Sequence, residues 1–285
     1  LVFAAALGGN LSLIGAPGNL IAQSALQNIG SGFGFFEYAK VGLPMLVCGI
    51  LYFLTIGYKF LPNNSNSSEV GSIGEQRDYS HVPRWKQILS LVVLIATILG
   101  MIFEKQTGIS LTVAGCIGAL VLVITGVLTE KQAYKAIDSQ TIFIFGGTLA
   151  LAKALEMTGA GKLVADQVIG LLGNNSSPFM LLVVVFALSV VMTNFMSNTA
   201  TVALLVPVSL SIAAGMGADP RAVLMATVIG SSCAYATPIG MPANMMVLSA
   251  GGYKFVDYAK SGIPLIIVST IVSLILLPIL FPFHP

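Results

Sequence analysis

The residues best suited to chemistry in this 285-residue chain lie in one run, Thr193-Asn194-Phe195-Met196-Ser197-Asn198-Thr199-Ala200-Thr201. It gathers hydroxyl and carboxamide side chains between two segments, Phe179 to Met192 and Val202 to Met216, that contain no charged residue. Polar groups between such flanks are expensive to leave unpaired. A helix starting just after Ser197-Asn198-Thr199 points free N–H groups and a positive dipole end at the tip, which suits carboxylate or sulfate without a buried arginine. Hydroxyl, carboxamide and backbone carbonyl oxygens also suit a hard cation such as Na⁺. A cation held nearby offsets the charge of the anion. None of the 11 acidic residues falls near the centre of an apolar span, whereas a proton-driven carrier normally keeps an ionisable relay inside the membrane. The pattern favours Na⁺ coupling.

Composition says what surrounds these residues. The chain is 56% hydrophobic and only 8% charged, with a mean hydropathy of +0.92. Soluble domains carry about 25% charged residues, so this is an all-α polytopic membrane protein. A net charge of +2 with no basic run excludes a nucleic-acid partner. No nucleophile–base pair or His/Cys cluster supports an enzyme, a transition metal or a cofactor, which leaves Na⁺ as coupling ion only. Cys48, Cys116 and Cys233 are spaced for neither a metal knuckle nor a disulfide framework and read as small buried hydrophobes. The chain enters directly at Leu1-Val2-Phe3-Ala4, without signal-peptide features, and reads as beginning inside a transmembrane helix.

Spans need about 20 mostly apolar residues. Leu1 to Leu26 is apolar but interrupted at Gly8-Gly9-Asn10 and Gly15-Ala16-Pro17-Gly18-Asn19, a discontinuous helix; Val41 to Phe60 is a continuous span. Asn63 to Lys86 is the one long hydrophilic stretch. Gln87 to Phe103 and Ile109 to Leu128 are further spans, Thr129 to Asp138 has the spacing of an interfacial amphipathic helix, and Thr141 to Leu155 is a glycine-interrupted span. Residues 177–216 fold around the Ser-Asn-Thr run as a re-entrant hairpin. Residues 222–250 form a second broken helix, interrupted at Thr237-Pro238-Ile239-Gly240-Met241-Pro242-Ala243-Asn244, and residues 262–281 are the last span. Eight of the 13 Lys and Arg fall on the side of the 61–87 loop, a weak positive-inside bias that makes that loop cytoplasmic.

The interruptions repeat. Gly15-Ala16-Pro17-Gly18-Asn19 matches Gly240-Met241-Pro242-Ala243-Asn244, and Phe35-Phe36-Glu37-Tyr38-Ala39-Lys40-Val41-Gly42-Leu43-Pro44 matches Phe255-Val256-Asp257-Tyr258-Ala259-Lys260-Ser261-Gly262-Ile263-Pro264. Counting spans between the copies inserts them in opposite directions. Residues 1–60 then close a first inverted repeat, 61–87 link, and 88–285 form the second. Inverted repeats with broken helices meeting near the midplane are the architecture of secondary transporters.

Ser197-Asn198-Thr199 after Thr193, with Pro238 and the Gly240–Asn244 break, resembles the second half of the divalent anion:sodium symporter (DASS) family of the ion transporter superfamily. Gly8-Gly9 with Gly15–Asn19 resembles that family's first broken helix. The resemblance implies sodium-coupled symport of a small divalent anion such as a dicarboxylate, citrate or sulfate. By it, Thr193, Ser197, Asn198 and a carbonyl near Gly240 hold one Na⁺, and Gly15 belongs to the other Na⁺ site. Ser197, Asn198, Thr199, Pro242, Ala243 and Ala16 line the anion. It further implies a homodimer, an elevator motion and a multi-pass place in the bacterial inner membrane. Two features depart from the family. Only the first of its two successive prolines is kept in Pro17-Gly18 and Pro242-Ala243, and the first hairpin is expected upstream of Leu1, so this chain is not expected to transport unaided.

Other readings remain at this stage. Ser-Asn-Thr also caps ordinary helices, the Gly-x-Pro-small-Asn copies also kink them, and Asn19 and Asn244 also cap freed backbone. Tyr38, Lys40, Tyr258 and Lys260 read as interfacial anchors, and His81 and His284 as inert. Within transport, an exporter of the arsenite or citrate–metal type shares the wider architecture; outside it stands a non-transporting fragment bound to a partner membrane protein.

Overall fold

The computed structural model describes residues 2–61, 82–137, 177–241 and 253–283, with scattered positions in 142–167 and 243–248. Most of the 61–87 loop, most of Thr141 to Leu155, and His81, Pro242 and His284 lie outside the described residues. Among the described residues every regular element is helical. Three helices among the described residues are long and apolar enough to cross a bilayer, Arg84–Ile102, Asn198–Met216 and Phe255–Leu280, and several shorter apolar helices accompany them. The protein is an integral, multi-pass membrane protein, as its composition requires.

The chain forms two compact units, one from Leu1–Gly71 with Thr141–Pro285, the other from Ser72–Gln140. In the second unit α4 (Arg84–Ile102) packs on α6 (Leu111–Ile124); α5 is the short turn Glu104–Thr107. The approach is close because the residues are small: a Cβ on Gly118 would lie 2.2 Å from Thr97 Oγ1, the small-residue packing that membrane helices favour. The expected short helix after Thr129 forms as α7 (Glu130–Ala136), with a Thr129–Gln132 capping box.

The first unit holds both helix interruptions. α1 (Val2–Gly8) passes through a 3₁₀ turn, Gly9–Leu11, and the chain restarts as α2 (Pro17–Gln27), with Pro17 at the position where a helix tolerates a missing N–H. α3 (Ala39–Thr55) follows. Downstream, α8 (Pro178–Thr193) and α9 (Asn198–Met216) are joined by the Asn194–Ser197 turn; α10 (Pro220–Ser231) then breaks off at Ser232, and α11 (Phe255–Leu280) closes the unit. The last helix thus begins seven residues before the span expected at Gly262. Its first turn is stabilised by the Asp257 carboxylate on the Lys254 N–H (2.8 Å), just as Glu37 receives the Gly34 N–H (2.8 Å).

The sequence repeat is matched contact for contact. A Cβ on Gly42 would lie 2.0 Å from the Asn10 carbonyl oxygen, and one on Gly262 would lie 2.0 Å from that of Tyr235. α3 and α11 therefore press glycine backbone against the two breaks. Tyr38 and Tyr258, expected at the membrane interface, are instead buried; their hydroxyls donate to the carbonyls of Asn19 (3.3 Å) and Asn244 (2.8 Å). Only the three-dimensional contact reveals that role, since an amphipathic ring suits either place. The two halves interlock through Tyr52, which donates to the Ser261 carbonyl at 3.0 Å, and through Phe3, stacked edge-on to Tyr235. Of the three cysteines only Cys233 is buried; Cys116 is exposed and Cys48 half-buried, because their helices leave apolar faces uncovered.

Candidate functional site

α9 begins at the Ser-Asn-Thr run, with Ser197 as its cap: the Ser197 hydroxyl accepts the Ala200 N–H at 3.2 Å and its carbonyl accepts the Thr201 N–H at 2.9 Å. The N–H groups of Asn198 and Thr199 have no acceptor inside the helix. They leave a donor pair and a positive helix end at this point. Thr199 is half-buried in the first turn, beside Asn198.

Behind this cap lies a cluster of oxygens. Thr193, the buried last residue of α8, donates its hydroxyl to the Ser231 carbonyl at the end of α10, at 2.5 Å. The Asn198 carboxamide fits beside them in two senses. With its oxygen inward it accepts from Thr193 at 2.7 Å. With its nitrogen inward it donates to Thr193 Oγ1 (2.7 Å), Ser231 O (3.1 Å) and Gly240 O (3.2 Å). The second sense satisfies more groups, because the Thr193 hydroxyl is already engaged by Ser231 and the first brings unshielded oxygens together. A cation among these oxygens would favour the first. The arrangement is chemically able to hold a hard, oxygen-seeking ion. Among the described residues no three His, Cys, Asp or Glu side chains gather to hold a metal ion.

Gly240 is glycine for a reason of space: a Cβ there would lie 2.5 Å from the Thr193 carbonyl oxygen and 2.7 Å from Ala234 Cβ. Gly15 has the same need in the first break, where a Cβ would lie 2.2 Å from Gly9 O. Ala16 caps α2 in extended conformation. The first break adjoins α9, since a Cβ on Gly18 would come 2.9 Å from Val202 Cγ2, one turn beyond Asn198. Thr193, Asn198 and Gly240 are thus brought together, Ser197 and Thr199 flank them, and Ala243 is half-buried beyond the break.

Asn19 and Asn244 act on backbone. Asn19 Nδ2 donates to Gly9 O (3.2 Å) and Ser12 O (2.9 Å), and Asn244 Nδ2 donates to Ala234 O and Thr237 O (both 2.9 Å). Each closes carbonyls freed by its own break. Sequence reasoning missed Asn194, Thr237 and the Ser231 carbonyl. The signal available for Asn194 was its carboxamide inside the polar run, directly after the apolar segment that ends at Met192. Its Oδ1 accepts the Ala236 N–H (3.0 Å), its Nδ2 donates to Val190 O (2.7 Å) and Cys233 O (3.3 Å), and its backbone carbonyl accepts the Thr237 hydroxyl (2.5 Å).

Comparisons with known proteins bear on the family. The family model described as citrate transporter (CitMHS) matches residues 1–221 and 98–284. An uncharacterized transporter of Methanocaldococcus jannaschii is 30% identical over 278 residues, covering 95% of this chain and 61% of the relative. An uncharacterized transporter of Escherichia coli, YfbS, is 35% identical over 171 residues, 60% of this chain and 28% of the relative. The sodium-dependent dicarboxylate transporter SdcS of Staphylococcus aureus is 25% identical over 300 residues, 98% of this chain and 57% of the relative. The chain therefore spans less than two thirds of each of these relatives. The matched family model covers most of the chain, and the relatives it aligns with are transporters rather than enzymes: the chain belongs to the citrate transporter family.

Proposed function

We propose that the complete protein carries out sodium-coupled symport of a small divalent anion, a dicarboxylate, citrate or sulfate, across the plasma membrane. The observation that carries this reading is the convergence of Thr193 Oγ1, Ser231 O and Gly240 O on the Asn198 carboxamide, each within hydrogen-bonding distance of it. Such neutral oxygens hold Na⁺ without an ionisable relay. The neighbouring N–H groups of Asn198 and Thr199, with the Ser197 and Thr199 hydroxyls, receive the anion; Pro242, Ala243 and Ala16 line it. Gly15 contributes a carbonyl to a second Na⁺ site. The α8–α9 pair acts as a re-entrant hairpin in the second of two inverted repeats, and the complete protein works as a homodimer with an elevator motion. The similarity to a sodium-dependent dicarboxylate transporter of Staphylococcus aureus supports the choice of ion.

The test is uptake of labelled succinate, citrate and sulfate into proteoliposomes holding the complete protein. Uptake of at least one is expected to require Na⁺ and to disappear in Asn198→Ala. Equal uptake in Na⁺-free buffer overturns the coupling. Uptake abolished by a protonophore and indifferent to Na⁺ points instead to the arsenite or citrate–metal exporter class.

A further inference from the structure

We infer that Asn194 is a positioning residue: with Thr237 it fastens the α8–α9 turn to the second helix break, so that Thr193, Asn198 and the Gly240 carbonyl are held as one cation pocket. This rests on the proposed Na⁺ symport and adds a residue that itself touches neither ion nor anion.

The Asn194 side chain has its hydrogen-bonding capacity taken up by backbone. It is buried, and both of its Nδ2 hydrogens are engaged, one by Val190 O and one by Cys233 O, while Oδ1 takes the Ala236 N–H. Its own carbonyl is bound by Thr237. The carboxamide is therefore occupied by backbone on both sides and has little left for an ion. The residues it ties alternate with those around the oxygen cluster: Thr193 precedes it, Ser231 lies two residues before Cys233, and Gly240 lies three after Thr237. Between Ser232 and Met241 the backbone has no helical ladder to hold it. Its place is set by Asn194 from one side and by Asn244, through Ala234 O and Thr237 O, from the other. Asn244 belongs to the same segment of chain as the break, so it fixes the shape of the break. Asn194 comes from the hairpin and sets the distance between hairpin and break. That distance is what Gly240 O and Thr193 Oγ1 must share to hold one ion.

The chemistry restricts the residue type. An aspartate cannot donate to two carbonyls when ionised, and alanine leaves the Val190 and Cys233 carbonyls and the Ala236 N–H to find other partners. Loosening the junction lowers the fraction of carriers with an assembled pocket, which reads as weaker apparent Na⁺ affinity. It does not remove a ligand.

The experiment measures Na⁺-dependent uptake by the complete protein in proteoliposomes, using whichever of succinate, citrate or sulfate the unmodified protein accepts. Asn194→Ala is expected to raise the half-saturating Na⁺ concentration about tenfold, with maximal uptake at saturating Na⁺ within about twofold of the unmodified protein. Thr237→Val, which keeps the side-chain volume and removes the hydroxyl, is expected to shift it about three- to fivefold in the same direction. Thr237→Ser, which restores the hydroxyl, is expected to stay within about twofold. A purely structural role would lower maximal uptake through fewer folded carriers and leave half-saturation in place; that result in Thr237→Val overturns the inference even where Asn194→Ala does not fold. Na⁺-independent uptake by the unmodified protein overturns the parent reading, and this inference falls with it. Na⁺-dependent uptake with half-saturation unmoved in the variants overturns the inference alone.

Discussion

Asn244 closes the second helix break in the same way that Asn19 closes the first: each turns its amide nitrogen back onto the carbonyls ten and seven residues earlier, and each gives its own carbonyl to a buried tyrosine. A broken helix in a bilayer frees carbonyls that have no water to meet, so a built-in donor is needed on the spot. The first prediction follows from that. Asn19→Leu and Asn244→Leu each leave two carbonyls without this donor, and each is expected to lower stability by about 2–3 kcal/mol. Thermal unfolding of the purified protein in detergent checks this; midpoints equal to the unmodified protein would remove the structural role.

Gly42 and Gly262 make matched predictions. A methyl group at either position would sit 2.0 Å from a backbone carbonyl oxygen that belongs to a helix break. Backbone cannot yield as a flexible side chain does, so α3 or α11 must move away. Gly42→Ala and Gly262→Ala are each expected to destabilise by about 1–3 kcal/mol. Gly8→Ala is the control, because a Cβ there meets nothing within 4 Å; it is expected to be neutral or slightly stabilising, by less than about 1 kcal/mol. The same unfolding assay separates the three.

Arg221, at the start of α10, pairs with Glu37 on the segment leading into α3, 184 residues away. Its guanidinium also lies over the rings of Phe33 (5.8 Å) and Phe281 (5.9 Å). Glu37 is mostly covered, so removing the arginine leaves a largely buried carboxylate that keeps the Gly34 N–H and, among the described residues, the half-exposed Lys40 (3.6 Å) as its cationic partner. Arg221→Ala is expected to cost about 2–3 kcal/mol and Arg221→Lys less, because lysine keeps the charge without the planar face. Denaturation measured in parallel on Glu37→Gln is expected to show a smaller loss than Arg221→Ala, since the glutamine still receives the Gly34 N–H through its amide oxygen.

Thr193 separates the hydroxyl from the shape of its side chain. Thr193→Ser keeps the oxygen that meets Ser231 and Asn198, and Thr193→Val keeps the volume without it. In the uptake assay, Thr193→Val is expected to raise half-saturating Na⁺ by at least about tenfold, and Thr193→Ser by less than about threefold. Equal behaviour of the two variants would show that the hydroxyl does not face the ion.

The amino-acid sequence alone determined the membrane class, the broken helices and the recurrence of their motifs, and it marked the run that holds the candidate site. All of these rest on local properties: the length of apolar runs, the placement of Gly and Pro, and the recurrence of Gly-x-Pro-small-Asn and of Tyr-Ala-Lys-x-Gly. Tertiary structure alone decided which groups meet. Tyr38 and Tyr258 looked like interfacial rings, and only the packing of α3 and α11 against the breaks shows them buried on asparagine carbonyls. Asn194 could be recognised as an amide in an expensive place, but its partners at Cys233 and Ala236 lie 39 and 42 residues downstream. Glu37 and Arg221 are farther apart still. Hydropathy and periodicity describe the surroundings of a residue along its own helix. The partner of a buried amide or ion is set by how separate helices approach one another, and that approach depends on the glycines, carbonyls and volumes of all of them together.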